Sequence, residues 1–138
     1  MMVGLVIVCH GNLGSELINV AELIVGKIDG AEPVSIGSVF DVDSAREEIG
    51  AAIKRVHGPE GVLILTDMFG GTPSNLSLSF LDEEKNIEVI TGVNLPMVVK
   101  FANHRKDKSL KELVNVVRDG GMKSIITASD MLHQKVKK

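Results

Sequence analysis

At 138 residues, 44% apolar and 24% charged, the chain has the make-up of a globular protein with a real core, and its length fits one domain at the usual ~150 residues per domain. A net charge of −3 without a basic patch, and the lack of Trp and Tyr, argue against nucleic-acid binding, which needs cations and stacking platforms. No apolar run approaches the ~18 residues of a membrane span, no basic region or small-residue cleavage site marks a signal peptide, and a single cysteine fits a reducing cytoplasm.

Residues 3–9 are nearly continuously apolar and stop at His10-Gly11. A run of this kind, without polar alternation, reads as a strand buried on both faces of a parallel sheet. Asn12 then stands as the N-cap of a helix to about Ile28, with Leu13, Leu17, Val20, Ala21, Ile24 and Ile28 on one stripe. After Asp29-Gly30, residues 33–37 read as a short second strand. Ser44-Ala45-Arg46-Glu47 has capping-box form, and Ala45, Ile49, Ala52, Ile53 and Val56 give its helix an apolar stripe that Gly58 closes. A third strand, 61–66, repeats the design of the first and ends at Asp67. Thr72-Pro73 reads as N-cap and first-turn proline of a helix to about Leu81. Residues 87–91 form a fourth strand, and Asn94-Leu95-Pro96 opens a short helix to about Ala102. The polar run 103–108 reads as a loop. Ser109-Leu110-Lys111-Glu112 is a second capping box, whose helix is expected to stop at Gly120-Gly121. A fifth strand is expected over 122–128 and a frayed, Lys-rich end over 134–138. No repeat or linker interrupts 1–138.

Strands alternating with helices predict a doubly wound, mostly parallel α/β sheet, and so few strands favour the flavodoxin-like order 2-1-3-4. In that order the first and third strands are neighbours and the winding reverses between them, so the loops after them diverge around a crevice. His10 and Asp67 are the first residues of those loops, and topology pairs them. A carboxylate that accepts the Nδ1 proton fixes the histidine tautomer, leaves the Nε2 lone pair facing out and stabilises positive charge on the ring. No serine nucleophile is evident, which leaves the imidazole as the nucleophile. Gly11, and Gly70-Gly71-Thr72 at a helix start, offer backbone N–H groups and the positive end of a helix dipole to an anion. There is no Walker-type lysine, no arginine or lysine in either loop and no clustered acidic set, so no metal or cofactor is expected. The pattern is that of a phosphoryl carrier rather than a kinase or NTPase.

Three stretches also carry a family resemblance: Val6-Ile7-Val8-Cys9-His10-Gly11, Leu65-Thr66-Asp67-Met68-Phe69-Gly70-Gly71-Thr72-Pro73-Ser74-Asn75 and Thr91-Gly92-Val93-Asn94-Leu95-Pro96-Met97. In order and spacing they resemble the signatures of the mannose-family EIIA domain of the bacterial sugar phosphotransferase system. The resemblance implies a cytoplasmic phosphohistidine carrier. His10 would accept a phosphoryl group from phospho-HPr and donate it to a histidine of an EIIB partner, which serves the membrane components EIIC and EIID. By the same motifs Asp67 is the Nδ1 partner of His10, and the Thr72 hydroxyl lies at the phosphate. Family members dimerise by exchanging the last strand, so a homodimer with an antiparallel fifth strand from its partner is expected. Cys9 stands where the family more often has a hydroxyl or small residue, and Phe69 where tryptophan is frequent.

Plainer readings exist for each residue. A strand-end histidine is by itself more often structural, and Gly70-Gly71-Thr72-Pro73 alone is ordinary turn and cap chemistry; together with Asp67 they point to a site. Met68 and Phe69 fall in the active loop and are read as exposed partner contacts. Cys9 reads as a small buried hydrophobe, Asp41 and Asp43 as turn and cap residues, and His57, His104 and His133 as solvated. A receiver domain would place its acceptor aspartate where Asp67 is, but needs acidic residues after the first strand to hold Mg²⁺, and this chain has Cys9-His10 there. An FMN-binding flavodoxin would use a hydroxyl-rich loop and flanking aromatics. The nearer alternatives are the phosphocarrier subunit of a dihydroxyacetone kinase system, whose corresponding loop lacks a Gly-Gly-Thr-Pro sequence, and a regulatory phosphotransferase branch.

Overall fold

The two apolar runs at the start and middle of the chain become adjacent central strands. A computed structural model describes residues 2–136. In it β1 (Gly4–His10), β2 (Ala31–Ile36), β3 (Val62–Thr66) and β4 (Ile87–Thr91) form one parallel sheet in the order β2-β1-β3-β4. β1 is buried through Cys9 and β3 throughout, as a parallel sheet covered by helices on both faces requires. Alternate side chains feed two cores. Leu5, Ile7, Cys9, Leu63 and Leu65 lie under α1 (Leu13–Val25), α4 (Leu95–His104) and α5 (Leu110–Lys123). Val6, Val8, Val62 and Ile64 lie under α2 (Val42–Val56) and α3 (Thr72–Leu78). Among the described residues no helix is long and apolar enough to cross a membrane.

Helix boundaries depart from expectation where a neighbour competes. Asp41 is the N-cap of α2: its carboxylate accepts from the Ser44 backbone N–H and hydroxyl at 3.0 and 2.8 Å, so Ser44 enters the helix instead of opening it. Gly71, not Thr72, caps α3. Asn94 caps α4 through the Met97 N–H, and the Ser109–Glu112 capping box opens α5 as its sequence predicts. α1 is rotated from the expected stripe. It buries Gly14, Ile18 and Ala21, because Gly14 lets the helix sit so close that a Cβ there would lie 3.0 Å from Ile7 O. Leu13, Val20 and Ile24 consequently face outward.

The largest correction is at the end of the chain. Gly120-Gly121 does not stop α5. A Cβ at Gly120 would lie 2.6 Å from Lys100 Cγ, and one at Gly121 2.5 Å from Met97 Cγ, so the pair lets α5 pack against α4. Met122 and Lys123 finish that helix, Ser124 is its C-cap, and Ala128 opens α6 (Ala128–Val136). Residues 122–128 therefore form no fifth strand within one chain, and the outer edge of β4 has no strand beside it among the described residues. The expected frayed end is helical backbone as far as Val136, while Lys137 and Lys138 lie outside the described residues.

The run 103–108 is not a plain loop either. Arg105 begins a 3-10 turn (Arg105–Asp107) and is only 6% exposed. Its Nη2 donates to Val3 O at 2.6 Å, its Nη1 donates to Asp29 O, and its guanidinium lies 4.8 Å from the centre of the Phe101 ring. Burial pushes its pKa below the usual arginine range, against the pull of the nearby Asp29 carboxylate.

Candidate functional site

The register of the sheet places the site. Val8 pairs with Thr66, so His10 and Asp67 leave the same edge on adjacent strands. They meet. Asp67 Oδ2 accepts from the His10 backbone N–H at 2.9 Å and lies 2.7 Å from His10 Nδ1. The His10 side chain is 50% exposed and that of Asp67 12%, so the carboxylate is the buried support and the ring the presented surface. Burial works to raise the Asp67 pKa, but the His10 N–H, the His10 ring and the Met68 N–H outweigh it and hold the carboxyl below its ordinary range. An ionised carboxylate only accepts hydrogen bonds. Nδ1 therefore carries the proton, and in the neutral imidazole the lone pair is on Nε2.

The Nε2 side of the ring faces α3. A Cβ on Gly71 would stand 3.2 Å from His10 Cε1 and 3.8 Å from Nε2, so a side chain there would press on the ring and displace it by a few tenths of an ångström. Gly70 turns into it with φ +87°, a conformation that glycine adopts without strain. The first N–H groups of a helix have no acceptor inside it; Gly71 is the N-cap of α3 and Thr72 its first residue, so this helix start is the one beside the ring. Thr72 is half-buried, while Met68 and Phe69 are 56% and 76% exposed on the same loop.

Gly11 contributes differently from expectation. Its N–H is committed to Ile36 O at 2.9 Å, so it offers no donor to an anion; what it supplies is a left-handed turn, φ +56°, between His10 and α1. Asn12 precedes α1 but makes no side-chain cap bond. Ser35, which sequence reading did not single out, donates its hydroxyl to Gly11 O at 2.5 Å. Its nearness to Gly11 becomes visible only once β2 is set in register on β1, with Ser35 opposite Cys9. The third motif works from behind: the N–H groups of Gly92 and Val93 both reach Thr66 O at 2.9 Å, clasping the residue before Asp67, and Asn94 Nδ2 donates to Gly121 O.

Cys9 is fully buried, and burial first, then the Asp67 charge, pushes its thiol up to about 12. His57 ends α2 with Nε2 2.9 Å from Lys85 O, and His104 ends α4, both at the opposite edge of the sheet from His10; His133 is exposed on α6. Among the described residues no group of three or more His, Cys, Asp or Glu side chains is placed to hold a metal ion.

A family model described as the PTS system fructose IIA component, EIIA-man, matches residues 4–118. The chain belongs to the EIIA-man family. It is 29% identical over 136 residues to the fructose-specific EIIA component of Bacillus subtilis, covering 99% of this chain and 92% of that one. It is 29% identical over 126 residues to the mannose-specific EIIAB component of Escherichia coli K12, of which it spans 39%. Among solved structures it superposes on the EIIA component of Streptococcus agalactiae with a TM-score of 0.83 at 27% identity, covering 94% of this chain and 99% of that one. The EIIA-man chain is thus a phosphotransferase-system component with a phosphocarrier role in sugar phosphotransfer. The matched span runs from the first residue of β1 to within the last two turns of α5 and includes both His10 and Asp67.

Proposed function

We propose that His10 is the phospho-acceptor of this carrier and Asp67 the group that orients and charges it. The observation that carries this is the 2.7 Å contact of Asp67 Oδ2 with Nδ1 on one side of the ring, with the Gly71 helix start against the other. Phospho-HPr is the donor and an EIIB histidine the acceptor. In the first step the Nε2 lone pair of His10 bonds to phosphorus while the donor's P–N bond breaks, its electron pair returning to the donor imidazole. The Nδ1 proton stays between His10 and Asp67, and the carboxylate offsets the positive charge that the ring acquires. Phosphoryl transfer of this kind depends on positioning and electrostatics in an in-line arrangement. The N–H groups of Gly70, Gly71 and Thr72 and the Thr72 hydroxyl receive the phosphoryl oxygens, while Met68 and Phe69 meet the partner protein. The test is phosphorylation with phosphoenolpyruvate, enzyme I and HPr, read by intact mass: one acid-labile, base-stable phosphate is expected, none in His10→Ala. Label persisting in that variant would remove His10 from the role. Among the described residues no group of ligating side chains is placed to hold a metal, so transfer from pre-formed phospho-HPr is expected to survive EDTA.

The chain works, on this reading, as one cytoplasmic EIIA domain over 1–138, linked through EIIB to membrane EIIC and EIID, and as a homodimer. Residues 125–127 join α5 to α6, and Ile125 and Ile126 are 80% and 55% exposed. The outer edge of β4 beyond Ile87, which Asp82 bridges, has no strand beside it among the described residues and is the complementary feature on a second copy; exchange of identical segments is a low-cost route to a dimer. Light scattering at micromolar concentration is expected to give twice the chain mass; a monomer would rule the exchange out.

A further inference from the structure

Gly11, the residue after His10, is held on β2 at both ends of its backbone. Its N–H donates to Ile36 O at 2.9 Å and its carbonyl accepts from Ser35 Oγ at 2.5 Å. The first bond extends the ladder in which His10 pairs with Ile36. The second is a side chain reaching from an edge strand to a loop carbonyl, and no ladder requires it. Sterics do not hold the peptide that follows Gly11: the residue is at φ +56°, and a Cβ there would meet nothing within 4 Å. With glycine, the Gly11–Asn12 peptide has more than one orientation open to it.

The orientation matters because a trans peptide points its C=O and N–H in opposite directions. β1 lies between β2 and β3. With the carbonyl turned to Ser35 on the β2 side, the Asn12 N–H is turned away from β2, and β3, which carries Asp67 at its end, lies on that other side of β1. Flipped, the same peptide would aim a carbonyl oxygen at arriving phosphoryl oxygens. We propose that Ser35 is a positioning residue for phosphoryl transfer, holding the Gly11–Asn12 peptide so that the loop beside His10 presents an N–H rather than a C=O to the phosphoryl group. The role rests on His10 as the acceptor, and Ser35 lies outside the three motif stretches.

The Ser35 bond is exposed, so its loss should change stability little while changing the loop beside the nucleophile. Ser35→Thr and Ser35→Val are the paired test. They have the same shape, both suit a strand, and they differ in the hydroxyl alone. Quenched-flow phosphorylation of the full chain by phospho-HPr is expected to show the maximal rate of Ser35→Val down about tenfold, since small misplacements near the reacting atoms are costly in rate. The donor concentration at half-maximal rate stays unchanged, and Ser35→Thr transfers like the wild type. The Asn12 amide resonance should shift on phosphorylation in the wild type and Ser35→Thr, and far less in Ser35→Val. Equal rates for the two variants, or a loss that resides only in the half-saturating concentration, would overturn the role. If the wild type takes label at His10 and the variants do not differ, Ser35 alone has been misread; if the wild type takes no label there, the acceptor assignment fails first.

Discussion

The two edges of the sheet are built to opposite specifications. The carboxyl edge presents side chains outward: His10 is half exposed, α1 starts without a side-chain cap, and the apolar Phe69 projects into solvent. At the amino edge the polar groups are closed. Arg105 is buried on the carbonyls of Val3 and Asp29, Gly4 N–H donates to Gly61 O, Val62 N–H to Asn86 O, and Asn86 Nδ2 to Glu60 O. Even the glycines differ in purpose. Gly61 admits close backbone contact, since a Cβ there would lie 2.1 Å from Asn86 O, whereas Gly71 admits the imidazole of His10. One edge is closed on its own hydrogen bonds, and the other leaves the ring of His10 accessible.

The sharpest way to break this contrast is a change at each edge, with phosphotransfer measured beside a melt. His10→Ala should lose phosphorylation completely and lower the melt only slightly, because the half-exposed ring is one of two His10 groups on Asp67 and the backbone N–H stays. Asp67→Asn should fold but transfer ~10²–10⁴-fold more slowly, the usual range for lost proton and tautomer control. A near-normal rate with lowered stability would make Asp67 a loop cap and dissolve the contrast. Arg105→Ala should do the reverse. It strands two backbone carbonyls and is expected to cost about 3 kcal/mol of stability in urea titration, with each folded molecule transferring normally.

Smaller effects sharpen the comparison. Gly71→Ala keeps an allowed backbone, φ −85°, but sets a methyl 3.2 Å from His10 Cε1. An unchanged melt with transfer slowed about tenfold is expected. The last effect is in pH. The Asp67 pKa is lower in the folded chain than in the unfolded one, so the unfolded state binds the proton first. The stability that Asp67 contributes is present above the ordinary carboxylate range and is lost as pH falls through it and below the depressed folded value. The stability difference between wild type and Asp67→Asn should therefore shrink on acidification between neutral pH and pH 3; a difference that grows would reverse the assignment.

Strand order and the meeting of His10 with Asp67 were legible because both rest on long-range rules: unbroken apolar runs lie inside parallel sheets, and winding reverses beside the first strand. Helix starts were less so, because a cap is a local competition. Asp41 and Ser44 both qualify, and only the backbone path decides for Asp41. The stripe of α1 was misjudged because Gly14 carries no hydrophobic signal although it sets the contact with β1. Gly120-Gly121 misled for a related reason: as letters they are a helix stop, and against Lys100 and Met97 they are the absence of a clash. Arg105 lies in a polar run and Ser35 at an exposed position of a short strand, and their partners are carbonyls far along the chain, which no pattern of side chains reveals.

Cys9 lies between these two worlds, next to His10 in sequence and sealed in the core. Only the thiolate reacts readily with peroxides and disulfides. Burial and the Asp67 charge push its pKa up to about 12, so the thiol stays protonated at neutral pH, and none of the side chain is exposed. The residue adjoining His10 is thus chemically silent under oxidative stress: a sulfenic acid or mixed disulfide at this position requires the sheet to open first. At Cys9, protection from oxidants follows from the packing of β1.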